Sequence, residues 1–209
     1  GALAAWRARR VVDVAIIGSS LLFWGLPTFW LAILLLFAGS GQFGLPLAGM
    51  GTPGPAASGV AAAADLLRHL LLPTSTQALV YLAQYALLAR STLLEVLNED
   101  FILTARARGL SSLQILRRHA ARNAALPLVT LAAVNLGFTV SGAIQVETVF
   151  SWPGLGLATY DAVIQRDYPM LQGTFLLLTV AVISANLLAD GLYAVLDPRL
   201  RDASAAEAS

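Results

Sequence analysis

Four long runs without a charged residue constrain this sequence more than any other feature. They cover residues 14–64, 69–89, 123–146 and 168–189. A helix needs about 20 residues to cross the hydrocarbon core of a bilayer, so each run is long enough to hold a membrane span. Charged residues make up 12% of the chain, where soluble domains average about 25%. This balance argues against a soluble globular enzyme.

The first run is too long for one span, and its second part has the composition of a loop. Between Gly39 and Gly59 there are seven glycines and three prolines, which is a composition typical of loops. The sequence therefore predicts an all-α fold, a polytopic membrane helix bundle that forms a single domain over residues 1–209. Its four transmembrane helices are predicted at about residues 14–37, 70–90, 125–146 and 171–194.

The distribution of arginine predicts how these spans are oriented. All 13 basic residues are arginine, and 11 of them lie before the first span, between the second and third, or after the fourth. Positive residues in short loops mark the cytoplasmic side. Both termini and the loop 91–122 are therefore predicted to be cytoplasmic, while segments 39–59 and 148–169 face outward.

Several chemistries are excluded by residue types that the chain lacks. Without lysine there is no GxxxxGK[ST] phosphate loop, and without cysteine there is no cysteine-based zinc, iron–sulfur or disulfide framework. His69 and His119 are predicted to be surface or interfacial residues rather than ligands. No set of nucleophile, base and orienting group is visible. We expect no catalytic residue, metal or cofactor in this chain, and the net charge of +1 argues against nucleic acid as a partner.

The cytoplasmic segment 91–122 is longer than a connection between two spans requires. Its sequence predicts a helix from Ser91 to Arg108 that ends at Gly109. Ser111 and Gln114 then form an S-x-x-Q capping box that begins a second helix. A short amphipathic helix between such breaks can lie on the membrane surface and present one face to a cytoplasmic protein.

Within this segment, DFILTARARGL at 100–110 and RHAARNAALP at 118–127 resemble the EAA loop of ABC importer permeases. The resemblance is strongest to the dipeptide, oligopeptide and nickel branch. Further segments agree in order and spacing: PTFW at 27–30, ETVFSWPGLG at 147–156, RDYP at 166–169 and LDPR at 196–199. Of the Glu-Ala-Ala triplet itself, only Ala105 matches. Such permeases usually have about six membrane-spanning helices, so the resemblance implies that the first two are missing here.

The resemblance also implies the partners and the mechanism. Two homologous permease subunits would form one pathway in the plasma (inner) membrane of a prokaryote. Two cytoplasmic ATP-binding subunits would bind the ATP, and an extracytoplasmic solute-binding protein would deliver peptides or similar small solutes, such as nickel chelates. Alternating access would be driven through residues that contact the ATPase. These docking and coupling residues are Glu99, Asp100, Thr104, Ala105, Arg106, Arg108, Gly109 and Leu110.

Polar residues also recur along one side of the second predicted span. Thr74, Gln77, Tyr81 and Gln84 are spaced by three, four and three residues, which aligns them on a helix. One interpretation is a hydrophilic translocation path, and the other is hydrogen bonding between helices. Both are open from the sequence. Asn135 is predicted to hold helices together.

An alternative function is an ion- or proton-coupled secondary transporter. Asp190 lies within the fourth hydrophobic segment, and intramembrane carboxylates often mark coupling sites. Its position near the cytoplasmic end of that span, where water reaches it, is the simpler interpretation.

Overall fold

In the computed structural model of the chain, residues 11–54, 58–140 and 143–196 are described, and every regular element among them is a helix. The helices are α1 (Val11–Gly25), α2 (Thr28–Phe43), α3 (Val60–Leu97), α4 (Asp100–Ala107), α5 (Ser112–Ile115), α6 (Ala121–Val140), α7 (Ile144–Val149), α8 (Leu155–Gln165) and α9 (Tyr168–Leu196). A π-helical segment, Leu116–Ala120, joins α5 to α6. The all-α prediction is confirmed for these residues. Both predicted cytoplasmic termini and the side chain of Asp190 lie outside the described residues.

The predicted first span is not one straight helix. α1 and α2 meet at an angle of 105° across a break at Leu26 and Pro27. Proline has no backbone N–H and disfavours the helical conformation of the residue before it, which explains the break at this position. Each helix alone is about 22–24 Å long, which is shorter than the hydrocarbon core, so only the pair together is long enough to cross.

The number of spans is a separate question from the helical fold. Among the described residues, one helix is long and apolar enough to cross a membrane by itself, at Tyr168–Leu188 in α9. The bent pair of α1 and α2 is a second candidate. Four spans stay a prediction.

α3 is the longest element and forms the frame for its neighbours. Its 38 residues extend for about 57 Å, so it continues beyond both ends of the predicted span 70–90. The predicted helix Ser91–Arg108 is therefore wrong, because its first part belongs to α3. The chain breaks at Asn98 and Glu99, where Glu99 adopts an extended conformation before α4 begins. Asparagine favours such ends since its side chain competes for backbone hydrogen bonds.

The bent pair of α1 and α2 contacts α3 in reverse chain order. Asp13 in α1 bonds to Arg90, and Gly39 in α2 lies directly against Leu72. The 18 residues of α3 between these two points rise by about 27 Å, close to the thickness of a hydrocarbon core. The start of α1 therefore lies at the same end of α3 as α4, and the loop after α2 lies at the other end. This is the arrangement that the arginine distribution predicts.

Three small clusters of buried side chains hold the helices together. One is Leu93, Ala120 and Ala124, at the end of α3 and the start of α6. Another is Ala32, Leu72, Val146 and Phe150, where α2, α3 and α7 meet. The third is Ile102, Ala105 and Ile115, between α4 and α5. Many other large apolar side chains are exposed, as expected for helices of the predicted membrane bundle.

The turn between α7 and α8 explains the segment 147–156 that the sequence singles out. The Glu147 carboxylate accepts a hydrogen bond from the Leu157 amide at 3.0 Å, at the positive N-terminal end of α8. The Glu147 carbonyl accepts a second bond from the Trp152 amide at 2.8 Å. A Cβ atom at Gly156 would lie 2.7 Å from the Ile144 Cα atom and 3.0 Å from the Glu147 carboxylate. Glycine is required here because the backbone of α7 approaches so closely.

We predict that Gly156→Ala destabilises the protein by about 1–3 kcal/mol, the usual cost of overpacking against an immobile neighbour. The midpoint of thermal unfolding in detergent measures this. Gly173→Ala in α9 is the matched control, because no atom lies within 4 Å of its added Cβ, and it should leave the midpoint unchanged or slightly raised. Equal midpoints for the two variants would contradict the packing argument.

Candidate functional site

The predicted coupling segment is a helical hairpin with two well-formed caps. Gly109 has a φ of 78°, a left-handed conformation that favours glycine. The Gly109 amide donates to the Arg106 carbonyl at 2.9 Å, and the Leu110 amide donates to the Ala105 carbonyl at 3.3 Å. These two bonds form a Schellman motif. The predicted end of the helix at Gly109 is confirmed.

The second cap begins α5. The Ser111 amide donates to the Gln114 Oε1 atom at 2.9 Å, and the Gln114 amide donates to the Ser111 hydroxyl at 3.4 Å. The predicted capping box is therefore confirmed. Because both caps lie between Arg106 and Gln114, the turn of the hairpin is fixed by local hydrogen bonds.

Burial divides the predicted docking residues into two groups. Ala105 is 5% exposed and belongs to the core that Ile102 and Ile115 form inside the hairpin, with Leu110 packed against it. The others are exposed: Glu99, Asp100, Thr104, Arg106, Arg108 and Gly109. Within this chain Ala105 is a packing residue of the hairpin, and any effect of replacing it acts first on that packing.

Two apolar residues on the same helix were missed by the sequence analysis. Phe101 and Leu103 in α4 are both exposed, the latter by 59%. The run Phe101–Leu103 has three large apolar residues, of which only Ile102 is buried. A helix this short can bury one narrow side, so the run itself signals that apolar groups are left outside. The exposed surface of α4 thus combines apolar groups with charges of both signs.

The polar residues of α3 differ in what they contact. The Tyr81 hydroxyl lies 3.3 Å from the Thr139 hydroxyl. The side-chain Nδ2 atom of Asn135 donates to the Gln84 Oε1 atom at 3.2 Å. Tyr81 and Gln84 therefore bond to α6, as the structural interpretation predicts, and Asn135 holds the two helices together. Thr74 is exposed and donates to the carbonyl of Leu70 on its own helix. Gln77 is half-buried.

An ion pair with a buried carboxylate was also missed, because Asp13 entered the sequence analysis only as the limit of an uncharged run and Arg90 only as such a limit and as one of the 11 arginines that set the orientation. Asp13 is 2% exposed. Its two carboxylate oxygens accept from the Arg90 Nε and Nη2 atoms at 2.7 and 2.8 Å. The two residues are 77 positions apart, so nothing in the local sequence indicates that they meet.

At the other end of α3, the loop after α2 is bound to the helix. Thr52 donates from its amide to Asp65 Oδ2 at 2.7 Å and from its hydroxyl to Asp65 Oδ1 at 2.6 Å. These bonds lower the pKa of Asp65 below its ordinary value, the hydroxyl contributing most. The Gly49 amide also donates to the Phe150 carbonyl at 2.9 Å. The loop is therefore tied to both α3 and the end of α7.

The same loop and α3 line an open cleft of about 470 Å³. Thr52, Asp65, Arg68 and His69 are its polar lining residues. His69 is 5% exposed, and its Nδ1 atom lies 2.9 Å from the Asp65 carbonyl oxygen. The prediction that His69 lies at the surface is therefore wrong, because the side of α3 that carries Asp65 and His69 is covered by the loop. In the part of the chain that the structure describes, no group of three or more His, Asp and Glu side chains could hold a metal.

Comparison with known proteins gives a match over almost the whole chain. Residues 1–202 match the family described as binding-protein-dependent transport system inner membrane component. The chain is 37% identical over 219 residues to the dipeptide transport system permease protein DppB of Escherichia coli strain K12. It is 40% identical over 202 residues to a putative peptide permease protein of Brucella suis. It is 35% identical over 201 residues to the oligopeptide transport system permease protein AppB of Bacillus subtilis.

These relatives are longer than this sequence. Each alignment covers 96% of this chain but only 65% of the Escherichia coli protein and 62% of the other two. All three relatives are named as permeases and none as an enzyme, which agrees with the prediction that the chain is not an enzyme.

We predict that the bond between Thr52 and Asp65 makes stability depend on pH in the acid range. A carboxyl whose folded-state pKa is lowered stabilises the fold above its ordinary pKa of 3.8, and this contribution is lost as the pH falls through the folded-state value. The unfolding midpoint of Asp65→Asn in detergent should therefore lie below that of the wild type at about pH 6, and the difference should shrink towards about pH 3.

The control for this measurement is Asp161→Asn, which removes an exposed carboxylate of α8. It should give no pH-dependent difference from the wild type. A difference for Asp65→Asn that stays constant across the same pH range would contradict a role for the ionised carboxylate.

Proposed function

The chain belongs to the family of binding-protein-dependent transport system inner membrane components, and on this premise we propose that it is the transmembrane permease subunit of an ATP-driven ABC importer. The observation that carries the proposal is the match over residues 1–202, which includes the coupling segment and all the predicted spans. The named relatives transport dipeptides or oligopeptides. We therefore propose peptides or similar small solutes, such as nickel chelates, as the substrate.

The proposed assembly has several subunits. A second, homologous permease subunit completes the pathway, two cytoplasmic ATP-binding subunits bind the nucleotide, and an extracytoplasmic solute-binding protein delivers the substrate. This chain supplies four membrane spans, at about residues 14–37, 70–90, 125–146 and 171–194. The first of these crosses as the bent pair of α1 and α2.

The proposed point of contact with the ATPase is the exposed surface of α4. The charges of Asp100 and Arg106 in α4, and of Glu99 and Arg108 at its two ends, can pair with charges of a partner and set the orientation of docking. Its apolar groups, Phe101 and Leu103, can bury surface against that partner. A contact of this kind combines an apolar centre with a polar rim.

The proposed mechanism needs a coupling segment that moves as a unit. Ile102, Ala105 and Ile115 give the hairpin a core of its own, and the Schellman motif and capping box fix its turn. Closure of the ATP-bound dimer of ATPase subunits would shift the hairpin, and with it the end of α3 and the start of α6. This movement would convert the pathway from inward-open to outward-open. Substrate would then be released to the cytoplasm when the ATPase dimer reopens.

Of the four predicted path residues, Thr74 and Gln77 suit a translocation path better than Tyr81 and Gln84 do. Tyr81 and Gln84 already bond to α6, so they hold the bundle together. Thr74 is exposed and Gln77 is half-buried, which leaves them available to a hydrated path between two permease subunits.

Reconstitution of the full-length subunit with its partners tests the function. We expect uptake of a labelled dipeptide or tripeptide into proteoliposomes to require ATP and the binding protein, and to persist when ionophores collapse all ion gradients. Uptake that continues without ATP and stops with the ionophores would refute the proposal and favour the secondary transporter.

The docking surface has its own test. We predict that Leu103→Asp lowers co-purification of the ATPase subunit about tenfold or more, since a charge placed inside an apolar contact is costly. Leu67→Asp is the matched control, because Leu67 is exposed by 63% at the opposite end of α3. It should leave co-purification unchanged.

Ala105→Glu separates docking from packing within the same hairpin. Because Ala105 is buried inside the hairpin, this variant should lower both ATPase binding and the unfolding midpoint, whereas Leu103→Asp should lower binding alone. Normal ATPase binding by Leu103→Asp would show that α4 docks through another surface or not at all.

A further inference from the structure

The ion pair between Asp13 and Arg90 joins α1 to α3 at the end of α3 that leads to the coupling hairpin. Both oxygens of the Asp13 carboxylate are bonded to the Arg90 guanidinium. Two parallel bonds of this kind fix the orientation of the partners as well as their distance. A shift of α3 along α1 would have to break both bonds.

The Asp13 carboxylate is buried while the Arg90 side chain is 25% exposed, and an ion pair with a buried member is poorly explained by stability alone. Apolar side chains of similar volume are often as stabilising, while the best-attested use of such a pair is to fix register or to form a switch. Asp13 is the one charged residue in the sequence of α1, which is otherwise mostly apolar. Its presence there points to a requirement on the relative position of α1 and α3.

The contacts of the last part of α3, from Arg90 to Leu97, suggest why the position of α1 relative to α3 has to be fixed. α3 continues without a break from Arg90 to Leu97, and only Asn98 and Glu99 separate it from α4. Leu93 on this stretch is buried against Ala120 and Ala124. The end of α3 is therefore bonded to α1, packed against the start of α6 and joined covalently to the coupling hairpin.

We propose that Asp13 and Arg90 are a positioning pair that transmits movement of the coupling hairpin to the bent pair of α1 and α2. This inference rests on the proposed function. When the ATPase displaces α4, the end of α3 moves with it, and the bidentate bond makes α1 follow. Because α1 and α2 form the proposed first span, the pair links nucleotide-driven motion to a wall of the pathway.

The test uses the full-length subunit assembled with its partners in proteoliposomes. The readout is the number of peptides taken up per ATP hydrolysed, together with the yield of complex and its ATPase rate. The apolar double variant Asp13→Leu with Arg90→Met removes the charges and keeps the volume. We expect it to assemble and hydrolyse ATP while the transport ratio falls about tenfold. The charge swap, Asp13→Arg with Arg90→Asp, should recover part of the ratio.

Two further variants keep the test decisive. Glu95→Gln removes an exposed charge from the same stretch of α3 and should leave the ratio unchanged. Arg90→Lys keeps the charge but cannot form the bidentate bond. We therefore expect this variant to give a normal yield of complex but fewer peptides taken up per ATP hydrolysed. If the apolar double variant does not assemble, the transport ratio of Arg90→Lys is used to test the inference instead.

An unchanged ratio in the apolar double variant, or in Arg90→Lys when that variant decides, would overturn the inference. Failure of the proposed function is a separate result, because it would appear as an absence of ATP-driven uptake by the wild-type complex.

Discussion

The fold depends on one helix that is longer than the membrane is thick. α3 extends for about 57 Å, which is longer than a hydrocarbon core of about 30 Å, so both of its ends would project from a membrane that it crosses as the sequence predicts. Asp65 lies near one end and Arg90 near the other, and each is bonded to a segment that comes before α3 in the chain. The two carboxylate contacts of this helix therefore lie near its ends, which are the predicted membrane boundaries, while Tyr81 and Gln84 between them bond to α6.

The two ends of α3 serve different purposes. At the predicted outer end, the loop after α2 is held by Asp65 and by the end of α7, which gives a glycine- and proline-rich segment a defined position. At the predicted cytoplasmic end, α3 leads into a hairpin with its own core and caps. The hairpin is attached to the bundle mainly through the ends of α3 and α6, so a force applied to it acts on both helices. This is the mechanical property that the proposed function requires.

Sequence reasoning predicted best where the determining contacts are local. The stop at Gly109 and the cap at Ser111 were both predicted correctly, because each depends on residues within one turn of helix. The end of α3 before Asn98 was not predicted, because the helical sequence pattern continues on both sides of this residue. Ala105 was predicted from the motif as a docking residue, but a motif does not tell whether a side chain contacts a partner or, as Ala105 does, the core of its own hairpin.

By itself, the sequence determined the helical architecture of the described residues and the caps at Gly109 and Ser111, and it predicted the side that carries the arginines and the place of the coupling segment, because hydrophobicity, charge and capping act through composition and short spacing. Only the tertiary structure decided that α1 and α2 meet at 105°, that His69 is buried under a loop and that Asp13 meets Arg90. The physical reason is that packing and ion pairing join residues far apart in the chain, and their meeting depends on helix lengths and crossing positions that no local pattern encodes.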